Sequence, residues 1–157
     1  MGTRFLTHQR IFAINDTINR KRTEMSISRM RAHTPAHHPD PEVDAAHGYI
    51  TAVVEALSGR GIQVDRSWLD PKGPVDATIV TGDNALVWDE WTGCTFGLYV
   101  SGRQGERTVL KDERPLGGGV LVPPAVLARL VETGSSLPPA TREPGARDGL
   151  FDALRDR

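Results

Sequence analysis

Residues 62–101 read IQVDRSWLDPKGPVDATIVTGDNALVWDEWTGCTFGLYVS, and this stretch decides the fold. Its period is two, the signature of strands with one buried face. Over 62–69, Ile62, Val64, Arg66 and Trp68 alternate with Gln63, Asp65, Ser67 and Leu69. Asp70-Pro71-Lys72-Gly73-Pro74 reads as a turn. A second strand is expected over 75–81 and a third over 85–90, with Gly82-Asp83-Asn84 turning between them. Trp91-Thr92-Gly93 leads to a fourth strand over 94–101, and Gly93 suits a left-handed turn position. In that strand Cys94, Phe96, Leu98 and Val100 are expected to point one way, and Thr95, Gly97 and Tyr99 the other. A polar turn over 102–105 precedes a fifth strand near 107–111.

The flanks change to helical period. Upstream, Val43, Ala46, Ile50, Val53, Val54 and Leu57 recur at three- and four-residue spacing, which predicts one amphipathic helix starting at Glu42. Asp40 or Asp44 is the expected cap, and Gly59 or Gly61 the end. Downstream, Gly117-Gly118-Gly119 bends the chain before a helix over 123–133 with Val126, Leu127, Leu130 and Val131 on its apolar side. Residues 135–147 are rich in Pro, Ser and Gly, and 148–156 suit a short helix carrying Leu150, Phe151 and Leu154. A run of strands bracketed by helices predicts an α+β domain: an antiparallel sheet of about five strands flanked by an N-terminal and a C-terminal helix. The expected organisation is a basic arm and linker over 1–41, a core over 42–134 and a tail over 135–157.

The bulk numbers fit one domain. The chain has 157 residues, 38% of them hydrophobic and 25% charged, with 16 Gly and 11 Pro. This composition excludes a collagen, a coiled-coil rod and a disulfide scaffold. Cys94 is the only cysteine, so no internal disulfide and no Cys-rich zinc site can form. No apolar run approaches the roughly 18 residues of a membrane span. The start carries no secretory h-region, which predicts a cytoplasmic protein. Charge is uneven: residues 1–39 hold a net +5 and residues 40–157 a net −6. Arg20, Lys21, Arg22, Arg29 and Arg31 concentrate the positive charge on a thin amphipathic stretch with Ile11, Ile14, Ile18 and Met25. That arm is a candidate for phosphate-backbone contacts. It lacks the interleaved aromatics that stack bases and is not followed by a helix-turn-helix. Met25 and Met30 are alternative starts to Met1.

The core resembles a small uncharacterised actinobacterial domain family of streptomycete type. The resemblance rests on His47-Gly48-Tyr49-Ile50 through Leu57, on Ser67-Trp68 with Pro74-Val75-Asp76-Ala77-Thr78-Ile79, and on Leu86-Val87-Trp88-Asp89-Glu90 with Thr92-Gly93 and the Pro123-Pro124 helix. It covers about residues 44–134. It implies a domain boundary and no catalytic residues.

Several residue types invite chemistry. Trp68, Trp88 and Trp91 are conspicuous in a chain with 6% aromatics, and with Asp89 and Glu90 they mark a candidate binding surface around the hairpin from 88 to 93. Trp68 and Trp88 also suit a core. Asp89 and Glu90 are neighbours on a strand, so at most one of them faces a given site. Cys94 with His47 as base is a weak nucleophile candidate, because Cys94 is in phase with Phe96 and Leu98. His33, His37 and His38 lie in a Pro-rich linker without the fixed frame a metal needs. Gly117-Gly118-Gly119 is not followed by Gly-Lys-Ser/Thr, and Pro123 and Pro124 remove amide donors from the next helix. No motif implies a cofactor. Three readings follow. The first is a non-catalytic protein-interaction module using the 88–93 hairpin. The second is a small-metabolite enzyme, favoured by a sheet-face pocket with two or more carboxylates among Asp70, Asp76 and Asp89 and disfavoured by a solid apolar sheet face. The third is a nucleic-acid-associated accessory protein acting through the basic arm.

Overall fold

The computed structural model describes residues 33–70 and 74–157. Arg20, Lys21, Arg22, Arg29 and Arg31 of the basic arm lie outside the described residues, so the phosphate-contact reading is carried by sequence alone. Helices α1 (Pro41–Asp44) and α2 (His47–Gly59) precede strands β1 (Arg66–Asp70), β2 (Asp76–Thr81), β3 (Asn84–Asp89), β4 (Gly93–Ser101) and β5 (Val109–Pro115). Helices α3 (Pro124–Thr133) and α4 (Leu150–Arg155) follow. The strands form one antiparallel sheet in the order β1-β2-β3-β4-β5, so the molecule is α+β with each strand beside its sequence neighbour. Among the described residues, no helix is long and apolar enough to cross a membrane.

The expected single N-terminal helix is two. Asp40 caps α1 by accepting the Glu42 N–H at 2.9 Å. The Ala46 N–H then donates to Val43 O, a tighter i−3 bond that turns the chain before α2 starts with Ile50 N–H to Ala46 O. The apolar stripe survives the break, because Val43, Ala46, Ile50, Val53, Val54 and Leu57 are all buried. Gly61, at φ 79°, ends the helical segment.

β1 starts later than its alternation suggests. Ile62 and Val64 pack against the main core from an irregular segment, and sheet pairing begins only at Arg66 opposite Val80. Leu69 faces the helices, while Trp68 joins Val80 and Ala85 in a second cluster on the other face. Val64 and Trp68, in phase by sequence, thus end up in different cores. β5 starts later than the expected 107–111 and runs on to Pro115. Residues 102–108 instead fold back toward the second sheet face, where the Thr108 and Thr78 hydroxyls are 2.7 Å apart. In β4 the phase holds for Cys94 and Phe96, but a register shift follows between Phe96 and Leu98, and Leu98 and Val100 are exposed.

The main core lies between the helices and one sheet face. It joins Tyr49, Ile50, Val53, Leu57 and Leu127 to Leu69, Ile79, Leu86 and Trp88. The chain after Thr133 returns to this core. Leu137 N–H donates to Leu116 O at 2.7 Å, Arg142 N–H to Trp91 O at 2.7 Å, and Leu150 and Leu154 are buried.

Candidate functional site: a row of aspartates on the second sheet face

Register creates a feature that no local window contains. Asp70 pairs with Asp76 across β1 and β2, and Asp76 pairs with Asp89 across β2 and β3. Directly opposed residues point to the same face. The three aspartates therefore form one row at the sheet's end, next to the row Trp68, Thr78 and Val87. This is the face opposite the helices. The loop 102–108 lies over it. The Gly105 N–H donates to Asp70 Oδ1 at 3.3 Å, the Gln104 side-chain amide to Leu69 O at 3.5 Å, and Tyr99 OH to Gly102 O at 2.5 Å.

Asp70 and Asp76 are 3% and 7% exposed. Trp68 Nε1–H donates to Asp70 Oδ2 at 3.0 Å. The two carboxyls face each other across β1 and β2 with both residues buried, which disfavours two charges there. Burial, the Asp70 hydrogen bond and the Asp70 charge push Asp76 up to about 8, against a partial offset from Arg107 and a further push from Asp89. Burial also raises Asp70, opposed by the bonds from Asp76, Gly105 N–H and Trp68 Nε1–H and by the nearby His38. Two buried carboxyls this close cannot both ionise cheaply, so they titrate as a pair. Among the described residues, Asp76 Oδ1 is buried and has no hydrogen-bond partner.

Asp89, third in the row, turns into the β3–β4 connection. Its Oδ1 accepts the Trp91 N–H at 2.8 Å and the Thr92 N–H at 2.7 Å, and its Oδ2 accepts the Thr92 hydroxyl. Glu90 Oε2 accepts the Val75 N–H at 3.1 Å, and Glu90 Oε1 lies 3.8 Å from the Arg142 guanidinium. Arg142 also pairs with Asp148 at 2.8 Å, and that bond holds the Asp148 carboxyl below its ordinary range. Trp88 is in the core, 6.0 Å from the Tyr49 ring, with Nε1–H donating to Val120 O at 2.8 Å. Trp91 is half-buried, and its Nε1–H is buried without a partner among the described residues. Trp68 lies under Arg66, whose guanidinium is 5.6 Å from the Trp68 ring and 5.2 Å from the Tyr99 ring. The hairpin residues singled out by sequence are thus engaged within the domain.

The other candidates are dispersed. Cys94 is buried, and burial together with the Asp89 charge pushes its thiol far up, the state of an inert cysteine. His47 Nε2 is bonded to Pro35 O at 2.9 Å. His37 pairs with Asp44 at 2.9 Å, His38 Nδ1 accepts the Asp40 N–H at 3.0 Å, and His33 O accepts the Ser67 hydroxyl. Among the described residues, no group of three or more His, Cys, Asp or Glu is placed to hold a metal ion. Gly117, Gly118 and Gly119 all have positive φ and pass close to the 137–140 segment. They serve a chain crossing there.

Sequence reasoning named Asp70, Asp76 and Asp89 as a set whose meeting would matter, but did not show the meeting. The readable signal was one Asp on each side of the 71–75 turn, since residues flanking a hairpin turn face each other. The loop that covers them left no trace in periodicity.

Comparison with curated proteins and with solved structures gives no match. Residues 49–133, more than half of the chain, match a family of unknown function, DUF6292, over α2, the whole sheet and all of α3. With His47–Leu57, Ser67-Trp68, Asp76–Ile79 and Leu86–Asp89 folding as helix and strands of one α+β core, the chain belongs to this family of unknown function.

Proposed function

We propose that the domain is a non-catalytic binding module and that the Asp70–Asp76 pair is its recognition centre. The ligand group it suits is a cation with several N–H donors, an ammonium or a guanidinium. The observation that carries this reading is Asp76 Oδ1, a buried carboxyl oxygen with no partner among the described residues, beside a second buried carboxyl. Buried polar atoms are almost always hydrogen-bonded, because an unmet one costs about 1–3 kcal/mol. A cationic donor would meet this oxygen, displace the shared proton and let both carboxyls ionise. The Gly105 N–H and the Gln104 amide contact Asp70 and Leu69 O at 3.3 and 3.5 Å. Bonds of that length are weak enough to yield to a stronger donor. Asp89 adds negative charge to the row. This reading retains the interaction-module class and moves recognition from Trp88 and Trp91 to the neighbouring acid row.

The test is a chemical-shift titration of the full chain with 1,4-diaminobutane and with arginine methyl ester, at matched ionic strength. Saturating shifts at the Asp70, Asp76 and Gly105 amides are expected, weakened at least tenfold in Asp76→Asn. Glu106→Gln, a change to an exposed acid on the same loop, should leave the affinity within twofold. Shifts that never saturate, or equal binding by Asp76→Asn, would overturn the assignment.

A further inference from the structure

A second site lies among α1, the start of α2 and the end of the chain. A cavity of about 360 Å³ is lined there by His37, Asp44, His47, Gly48, Arg155 and Arg157, with apolar contacts completing the wall. We propose that this cavity binds a small tetrahedral oxyanion, phosphate or a phosphate monoester.

The argument starts from the charge balance of the lining. Asp44 is its one acidic side chain, and it is already engaged, while the main-chain carboxyl oxygen of Arg157 lies against Gly48. Its carboxylate accepts the His38 N–H at 2.8 Å and contacts the His37 ring nitrogen at 2.9 and 3.1 Å. Burial works against ionisation, yet these bonds and the His37 and His47 charges hold Asp44 below its ordinary range. The cationic groups are less committed. Arg155 meets Asp152 at 3.4 Å across an exposed gap, a contact of the kind worth little in water. Arg157 lies over the Tyr49 ring, its guanidinium carbon 5.6 Å from the ring centre. The His37 and His47 rings are themselves stacked, with centroids 3.6 Å apart and planes 17° apart. His47 Nε2–H donates to Pro35 O, which fixes the ring on the cavity wall.

The N-terminus of α2 has no side-chain cap and no acidic residue in its first turn. Gly48 brings the backbone to the cavity without a side chain. A Cβ there would lie 2.5 Å from Arg157 O, so glycine is what lets the two segments meet. Two guanidiniums around one concave space match the several oxygens of a phosphate better than the flat edge of one carboxylate. This proposal is independent of the acid row.

The experiment titrates the ¹⁵N-labelled full chain with inorganic phosphate, with sodium chloride at matched ionic strength as the control. The expected result is saturating shifts at His47, Gly48 and Arg157 with phosphate alone. The double change Arg155→Gln with Arg157→Gln should weaken binding at least tenfold. Both residues are near the surface, so its thermal midpoint should stay within a few degrees, which separates lost binding from lost fold. Asp76→Asn should leave phosphate binding unchanged, so failure here is distinguishable from failure at the acid row. Glycerol 3-phosphate is the second probe. Tighter binding than phosphate supports the proposal with a monoester as ligand, and weaker binding supports it with the free ion. Shifts reproduced by chloride, or undiminished in the double variant, would overturn it.

Discussion

Asp76 shows how one atom's surroundings become a property of the whole protein. Its folded carboxyl titrates near 8, against an ordinary value of 3.8. Between about pH 4 and pH 8 the native state therefore holds a proton that the unfolded chain has released. Stability falls wherever the native state binds the extra proton and pH rises. The contribution is complete below about pH 4, declines through the window and is gone above about pH 8. Each pH unit between the folded and unfolded values corresponds to about 1.4 kcal/mol, so a loss of at least about 2 kcal/mol across the window is expected. Asp76→Asn removes the titration and keeps a donor for Asp70. Urea unfolding at pH 5, 7 and 9 should show wild type losing stability relative to the variant, with Asp76→Asn the more stable at pH 9. A constant difference between the two across that range would show that the pair does not share a proton. At the same scale, buried Cys94 should resist a thiol reagent in the native protein and react at the unfolding rate.

At the scale of elements, the β3–β4 connection is held by its own residues. Asp89 organises the turn, and Gly93 has φ 79° with Gly119 O packed where a Cβ would be. Gly93→Ala meets both backbone strain and a main-chain contact, and should cost about 2–4 kcal/mol in chemical unfolding. Gly82→Ala is the internal comparison, because φ is 63° there but the space is open. It should cost about 1 kcal/mol. Equal losses at both positions would show that the approach to Gly119 contributes nothing. This contrast also marks how far sequence reading reached. Gly93 as a left-handed turn was legible, since the turn's chemistry is local. So was the β2–β3 hairpin, with its alternation and its polar Gly82-Asp83-Asn84 turn. β5 was legible in its existence but not in its extent, because Lys111, Asp112, Glu113 and Arg114 lie on an exposed edge strand. Charges protect such an edge and erase its periodicity. Asp112, at φ 51°, disturbs the strand further. The aspartate row was legible only as three names, since its existence depends on register between strands.

The whole molecule raises a question that neither residue nor element answers, namely where the cooperative unit ends. The family match stops at residue 133, and the helical pattern stops at Thr133. Yet Leu154 is 1% exposed and belongs to the main core with Val43, Tyr49 and Ile50. The intervening chain is tied to the sheet end by Leu137 N–H to Leu116 O and Arg142 N–H to Trp91 O. Arg142 then links Glu90 to Asp148 and lies 6.0 Å from the Phe151 ring. Residues 135–157 thus cover apolar surface that 49–133 would leave in water. Leu154→Ala creates a cavity at a fully buried site and should cost about 2–4 kcal/mol. Removing 135–157 deletes Leu137, Leu150 and Leu154 together, and a domain of this size has stability of only about 5–15 kcal/mol. The shortened chain should therefore lose its cooperative transition, or show a midpoint lower by well over 10 °C by circular dichroism. A shortened chain that melts like the full one would place the end of the folding unit at α3 and reduce the tail to a passive cover.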